Sequence, residues 1–216
     1  MSITNTLETS PSQDTASLSQ DLQLMYLMCS RFCHDMAAPL GAISIGLEMI
    51  LESNPEPDSP HSLLQHSVQS ALHKLELMRC LCGFGASPDR PTLLEVRRVI
   101  EKSVDPEKHQ VVWNAAMDER IFGNSVRLYV ALFMLILEAM PRGGVITLNQ
   151  DYSLTLSGPL IKFHEAILEA LYSRQSLETL DSRAIVAHFA FLLARSLGTK
   201  VHFQFDRPNL VQIFFR

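Results

Sequence analysis

At 216 residues, with 47% hydrophobic content and a net charge of -5, the chain holds enough apolar matter for one large or two small cores, and it lacks the basic excess that a nucleic-acid backbone requires. Its longest apolar run, Leu128 to Met140, is too short to span a bilayer and carries Glu138 near its end, so it reads as a buried helix and not as a membrane segment. The four cysteines, Cys29, Cys33, Cys80 and Cys82, fall within helix patterns behind no basic-then-apolar leader, which predicts a reduced, cytoplasmic setting without a disulfide framework.

Residues 1–16 are rich in Ser, Thr, Asn and Gln and read as a flexible lead-in. A first long helix is predicted from about Leu18 to Glu52, with an apolar stripe of Met25, Cys29, Phe32, Met36, Leu40, Ile43, Leu47 and Ile50 spaced alternately three and four apart. His34 lies two residues from both Phe32 and Met36, which at about 100° per residue turns it roughly 200° from that stripe and toward solvent. The breaker-dense segment Ser53 to Asp58 closes the helix, and Ser59 followed by Pro60 opens a second one with the stripe Leu64, Val68, Ala71, Leu75, Met78, Cys82.

Two long helices on a short loop are expected to fold back as an antiparallel hairpin. The first also carries Leu24, Leu27, Met28, Ala42 and Ile45 beside its stripe, and each such side chain left wet forfeits roughly 1.5 to 3 kcal/mol. A homodimer in which two hairpins build a four-helix bundle removes that cost. The hairpin is thus assigned to residues 17–84, for dimerisation and for whatever chemistry His34 performs.

Residues 85–91 form a Gly/Pro/Ser-rich linker, and Thr92 with Glu95 gives a capping-box signature that opens a second domain over 92–216. There the pattern predicts helix (Leu93 to Lys102), strand (Gln110 to Trp113), helix (Ser125 to Met140), strands (Val145 to Gln150, Ser153 to Ser157), helices (Ile161 to Tyr172, Ser182 to Leu197) and strands (Lys200 to Phe205, Val211 to Phe215). Helices interspersed with mostly antiparallel strands make the fold class α+β, with helices on one face of a mixed sheet.

The chemistry concentrates in Arg31-Phe32-Cys33-His34-Asp35-Met36-Ala37-Ala38-Pro39. An imidazole with a solution pKa of about 6.5 presents a neutral nitrogen nucleophile near pH 7, so an outward histidine suits taking up and handing on a phosphoryl group. Asp35 is the expected orienting acid, bonding the other ring nitrogen and steadying the developing imidazolium. Pro39 has no amide hydrogen, which leaves the Asp35 carbonyl without its helical partner and bends the helix there. Ala38, Gly41 and Ile45 share the His34 face and suit close docking of a partner helix, while Arg31, one turn earlier, is placed to meet either an acidic partner pocket or the phosphate itself. A histidine on a helix surface is ordinarily only a solvated residue; the flanking Asp35 and Pro39 argue for more.

Two plainer features point away from other chemistry. The cysteines lack the spacing of common zinc sites, and Cys29 and Cys82 fall on the stripes, where a small buried hydrophobe is the ordinary use, so no metal site is expected. Arg142-Gly143-Gly144 reads as a turn after a helix in preference to an anion nest.

His34-Asp35-Met36-Ala37-Ala38-Pro39-Leu40-Gly41-Ala42-Ile43 is similar to the H-D-x-x-S-P-x-G-A-I of two-component histidine kinases, and Glu138-Ala139-Met140-Pro141-Arg142-Gly143-Gly144 stands where kinases end their nucleotide-binding helix. The whole arrangement resembles the ChpT-type histidine phosphotransferases more closely. That resemblance implies a phosphorelay between receiver-domain aspartates, with the receiver domains of a hybrid histidine kinase and of response regulators as partners. It also implies a second domain that is a degenerate histidine-kinase-type ATPase-like α/β sandwich. Leu135-Ile136-Leu137-Glu138-Ala139 has no asparagine, Ser157-Gly158-Pro159 lacks the acid of an adenine loop, and no glycine-rich lid is found, so no cofactor is expected on this chain and Mg²⁺ is expected on the partner receiver. Two other readings remain: a non-catalytic dimeric adaptor for receiver domains, and an ATP-using histidine kinase with an eroded site.

Overall fold

The structure is a computed structural model that describes residues 13–52, 59–82, 92–116, 123–172, 180–181 and 184–216. Within the first two helices, the side chains of 13–23, 25–26, 29–30, 33–34, 51–52, 59–63 and 65–66 lie outside the described set. The expected lead-in up to residue 12 and the linker at 85–91 also fall outside the described residues.

Helix α1 runs Gln13–Glu52 and α2 runs Ser59–Cys82. The start of α1 precedes the expected Leu18 and takes in four residues assigned to the lead-in, 13–16; no Gly or Pro interrupts Gln13 to Leu18, and Asp14 falls in the first turn, where the helix dipole favours an acid. The two helices pack along each other. Most residues of the expected stripes are not the buried ones. The buried residues are Arg31, Pro39 and Gly46 on α1, with Asp35 half-buried, and Ser67, Leu77, Met78, Cys80 and Leu81 on α2, where Met78 belongs to the expected stripe. Leu40 and Leu47 are 57% and 52% exposed, and Val68, Leu72, Leu75 and Cys82 are exposed too. Leu40, Leu47, Val68 and Leu75 of the expected stripes face outward, while Met36, Ile43, Ile50, Leu64 and Ala71 are half-buried.

Leu24, Leu27 and Met28, expected beside the stripe, and Phe32, expected on it, do not add to that outward surface. They pack against the core of the second domain. The N-terminal half of α1 is thereby attached to the α/β unit, chiefly through the sixth helix of the chain, while α2 leans on the third and fourth.

The second domain follows the expected order: α3 (Leu93–Ser103), β1 (His109–Trp113), α4 (Asn124–Ala139), β2 (Gly144–Leu148), β3 (Leu154–Ser157), α5 (Glu165–Leu171), α6 (Ile185–Ser196), β4 (Val201–Arg207) and β5 (Leu210–Phe215). The capping box is present: the Glu95 amide donates to Thr92 Oγ1, and the Thr92 amide donates to the Glu95 carboxylate. The α5 helix starts four residues later than expected. Ile161 and Phe163 are buried while Lys162 and His164 are exposed, an alternation of period two that belongs to extended chain, and the Lys162 amide donates to the Ala139 carbonyl at 2.9 Å.

The five strands form one mixed sheet in the order β1-β2-β3-β5-β4, with β1 and β2 parallel and the other pairs antiparallel. Ile146, Leu148, Leu154, Leu156, Val211 and Ile213 bury one face, against α4 and α6, whose own core side chains include Phe133, Leu132, Ile136 and Ile185. The last turn of α4 ends this buried helix beside α1, which brings Glu138 to the face that carries Asp35.

Candidate functional site

The α1 helix places Arg31 and Asp35 one turn apart, and Arg31 Nε donates to Asp35 Oδ2 at 2.9 Å. The other arm of the guanidinium, Nη2, donates to Glu138 Oε1 on α4. Arg31 is only 7% exposed, so the surface role expected of it gives way to an interior one: it bridges the first helix and the second domain. Burial works against its charge, but the adjacent Glu138 and Asp35 carboxylates more than offset this and hold its pKa above the ordinary arginine value.

Pro39 stands inside α1 and is buried there. The acceptor it strands, the Asp35 carbonyl, receives Lys74 Nζ from α2 at 3.2 Å. Asp35 is therefore held at both ends, by Arg31 at its carboxylate and by Lys74 at its backbone oxygen. Both cations line a cleft of about 630 Å³ between the helical pair and the second domain, together with Glu138, His164, Asp181 and the apolar Leu77, Met134 and Leu137.

His34 precedes Asp35 on α1, and its side chain lies outside the described residues. Its expected face is described through its neighbours: Ala38 and Gly41 are exposed, and Ile45 is 56% exposed. A Cβ built on Gly41 meets nothing within 4 Å, so nothing in the chain itself requires a glycine there. The structure thus brings together Arg31 and Asp35, sets Ala38, Gly41 and Ile45 on an open surface, and adds Lys74, Glu138 and His164, which sequence reasoning did not select. Lys74 carried a signal: a lysine three residues before Leu77 and seven before Leu81, within the inward rank of α2, needs a partner such as the carbonyl a helix-interior proline leaves free.

The end of α4 is closed by backbone. The Gly143 amide donates to the Met140 carbonyl and the Gly144 amide to the Lys108 carbonyl, each at 2.9 Å, so Arg142-Gly143-Gly144 is a turn whose two glycine amides are spent within the chain. Gly143 has φ of 77°, and a Cβ there would collide with the Lys108 carbonyl. Gly158 packs as closely: a Cβ on it would strike the Gly143 carbonyl, and the buried Met140 methyl lies against the same spot.

No group of three or more His, Cys, Asp or Glu suited to a metal occurs among the described residues, and no helix among them is long and apolar enough to cross a membrane.

The family model for the histidine phosphotransferase C-terminal domain matches residues 93–208, more than half of the chain. The chain belongs to the histidine phosphotransferases. Protein phosphotransferase ChpT of Brucella abortus (strain 2308) is 26% identical over 202 residues, covering 88% of this chain and 94% of that one. A solved bacterial phosphotransferase shares the fold with a TM-score of 0.75 at 24% identity, over 96% of this chain and 98% of the other. In this phosphotransferase the matched region begins with α3 and takes in α4, so Glu138 belongs to the family domain, whereas His34, Asp35 and Arg31 lie on the helix that precedes it.

Proposed function

We propose that this phosphotransferase passes a phosphoryl group between receiver-domain aspartates through His34, without ATP, as a homodimer in the cytoplasm. The observation that carries the reading is the double hold on Asp35, by Arg31 and Lys74, directly beside the one histidine set in an H-D-x-x-x-P segment of the first helix. An acid so fixed is suited to orient a neighbouring imidazole.

A neutral His34 ring nitrogen attacks the phosphorus of an aspartyl phosphate, the N–P bond forms, the acyl O–P bond breaks, and the receiver's carboxylate departs with the electron pair. The imidazolium charge that develops is met by Asp35, and the reverse step hands the group to a second receiver. Mg²⁺ on the receiver neutralises phosphoryl oxygens. Exposed Ala38, Gly41 and Ile45 offer a receiver helix a low surface next to His34. For the second domain, buried Leu135 and Ile136 where a kinase needs polar ligands, and the close packing of Gly158 on Gly143 and Met140, support a role in docking without nucleotide.

The dimer reading rests on the outward stripes. Met36, Leu40, Ile43, Leu47 and Ile50 on α1, and Val68, Leu72, Leu75, Arg79 and Cys82 on α2, alternate four and three apart, the spacing that a second pair of helices fills. With α1 and α2 as an antiparallel hairpin, two copies make a four-helix bundle.

The test is incubation with a phosphorylated receiver domain. Label that is acid-labile and base-stable is expected on the wild-type chain and absent from His34→Gln, with no label from ATP alone. Label that survives in His34→Gln, or transfer that fails with every receiver from the same genome, refutes the reading.

A further inference from the structure

We propose that Glu138 is a positioning residue for phosphoryl transfer at His34: it shares the Arg31 guanidinium with Asp35, and so lets the second domain set where the Asp35 carboxylate stands. The inference rests on the reading of His34 as the phosphoryl carrier and adds a residue outside its helix.

The geometry runs through three side chains. Arg31 uses Nε for Asp35 and Nη2 for Glu138, and a guanidinium is a rigid planar fork, so fixing one carboxylate restricts where the other is met. Arg31 is 7% exposed and is engaged through both arms of its guanidinium. Glu138 is carried by the last turn of α4, whose neighbouring residues Leu135, Ile136 and Ala139 are locked in the core. Its backbone is thereby tied to the core of the second domain. Asp35 is the opposite case: it lies on a long helix interrupted by Pro39, and its carbonyl depends on Lys74 for a partner. A fixed carboxylate on one domain thus anchors, through one buried cation, the carboxylate next to the reacting histidine on the other.

The experiment measures transfer from a phosphorylated receiver as a function of receiver concentration in the full chain. Glu138→Ala is expected to lower the maximal rate roughly three- to thirtyfold, the range of a residue acting through another, with the half-saturating receiver concentration unchanged. Glu138→Asp, which keeps a carboxylate on the same turn, is expected to return the rate to within about twofold of wild type. Arg31→Lys keeps the charge but loses the fork and is expected to show the Glu138→Ala loss. It also carries the test if circular dichroism shows Glu138→Ala unfolded. A Glu138→Ala or Arg31→Lys chain that transfers at the wild-type rate, a loss that Glu138→Asp does not repair, or a change confined to the half-saturating concentration overturns the proposal. His34→Gln runs alongside: if it still transfers, the underlying carrier reading fails, whereas an inactive His34→Gln beside fully active Glu138→Ala and Arg31→Lys removes this inference alone.

Discussion

Lys74 Nζ donates to the Asp35 carbonyl at 3.2 Å, the acceptor that Pro39, four residues on, leaves without an amide. A proline in a helix interior costs about 3 kcal/mol, and here a lysine from the neighbouring helix recovers part of that by satisfying the stranded oxygen.

Lys74→Met is expected to destabilise the fold by about 1 kcal/mol, the net worth of one partly buried hydrogen bond with a charged donor. Pro39→Ala restores an amide that bonds the Asp35 carbonyl and is expected to stabilise, by about 1 to 2 kcal/mol once its lost packing is counted. The two changes are coupled: in the Pro39→Ala background, Lys74→Met should cost less than it does alone, because the oxygen already has its helical donor. Chemical denaturation of the four chains checks this, and strict additivity would show that Lys74 serves the carbonyl no special purpose.

The outward stripes on α1 and α2 make a second prediction. Leu47 and Leu72 are exposed, and Leu47 lies more than three turns along α1 from His34. Replacing both by Glu is expected to convert a dimer into a monomer with its helix content intact, since burying each leucine is worth roughly 1.5 to 3 kcal/mol and burying a glutamate is prohibitive. Light scattering on the wild-type and the double variant reads the outcome directly, and a wild-type chain that is monomeric at micromolar concentration removes the bundle.

The order of elements in the second domain was legible because each rests on local signals: the Thr92–Glu95 box before α3, the glycine pair before β2, and the period-two runs of the strands. The stripe of α1 was legible as a pattern, yet not its partner. Spacing marks Leu40 and Leu47 as apolar, but it does not say whether α2 or a second copy covers them, and the residues of α1 buried within the chain are Arg31, Pro39 and Gly46. Leu24, Leu27 and Met28 were visible as extra apolar residues, and their destination on the second-domain core depended on a docking between segments far apart in sequence. The same holds for the site. Asp35 and Arg31 could be read from one helix, but the bond from Arg31 to Glu138 spans 107 positions, and no short-range rule connects them.

Two glycines should respond in opposite ways. Gly143 has φ of 77° and its missing Cβ leaves room only for the Lys108 carbonyl, so Gly143→Ala is expected to cost at least about 2 kcal/mol. Gly41 is helical with open space around it, and Gly41→Ala is expected to stabilise by about 0.5 to 1 kcal/mol. If a receiver helix seats closely there, a larger residue carries a different penalty. Gly41→Leu should leave the melting temperature near that of Gly41→Ala while raising the receiver concentration needed for half-maximal transfer, and an unchanged value would move the docking surface elsewhere on α1.

His188 is expected to contribute to the pH dependence of stability. It sits on α6 at 7% exposure, beside the Phe191 ring at 5.8 Å, and its buried Nδ1 has no hydrogen-bond partner among the described residues. Burial disfavours the charged form and lowers its pKa below the ordinary value of about 6.5. The unfolded chain therefore binds more protons than the folded one as pH drops below about 6.5, so stability is fully present above that value and declines as pH falls toward the folded pKa. Asp105 and Asp151, whose pKa values are lowered chiefly by the hydrogen bonds they accept from Glu107 and Ser153, lose their contributions only at lower pH, as it falls below the ordinary carboxylate range. Melting temperatures of wild type and His188→Leu between about pH 7.5 and 5 separate the two windows. The variant is expected to show a shallower decline there, and parallel curves would mean that another histidine governs the slope.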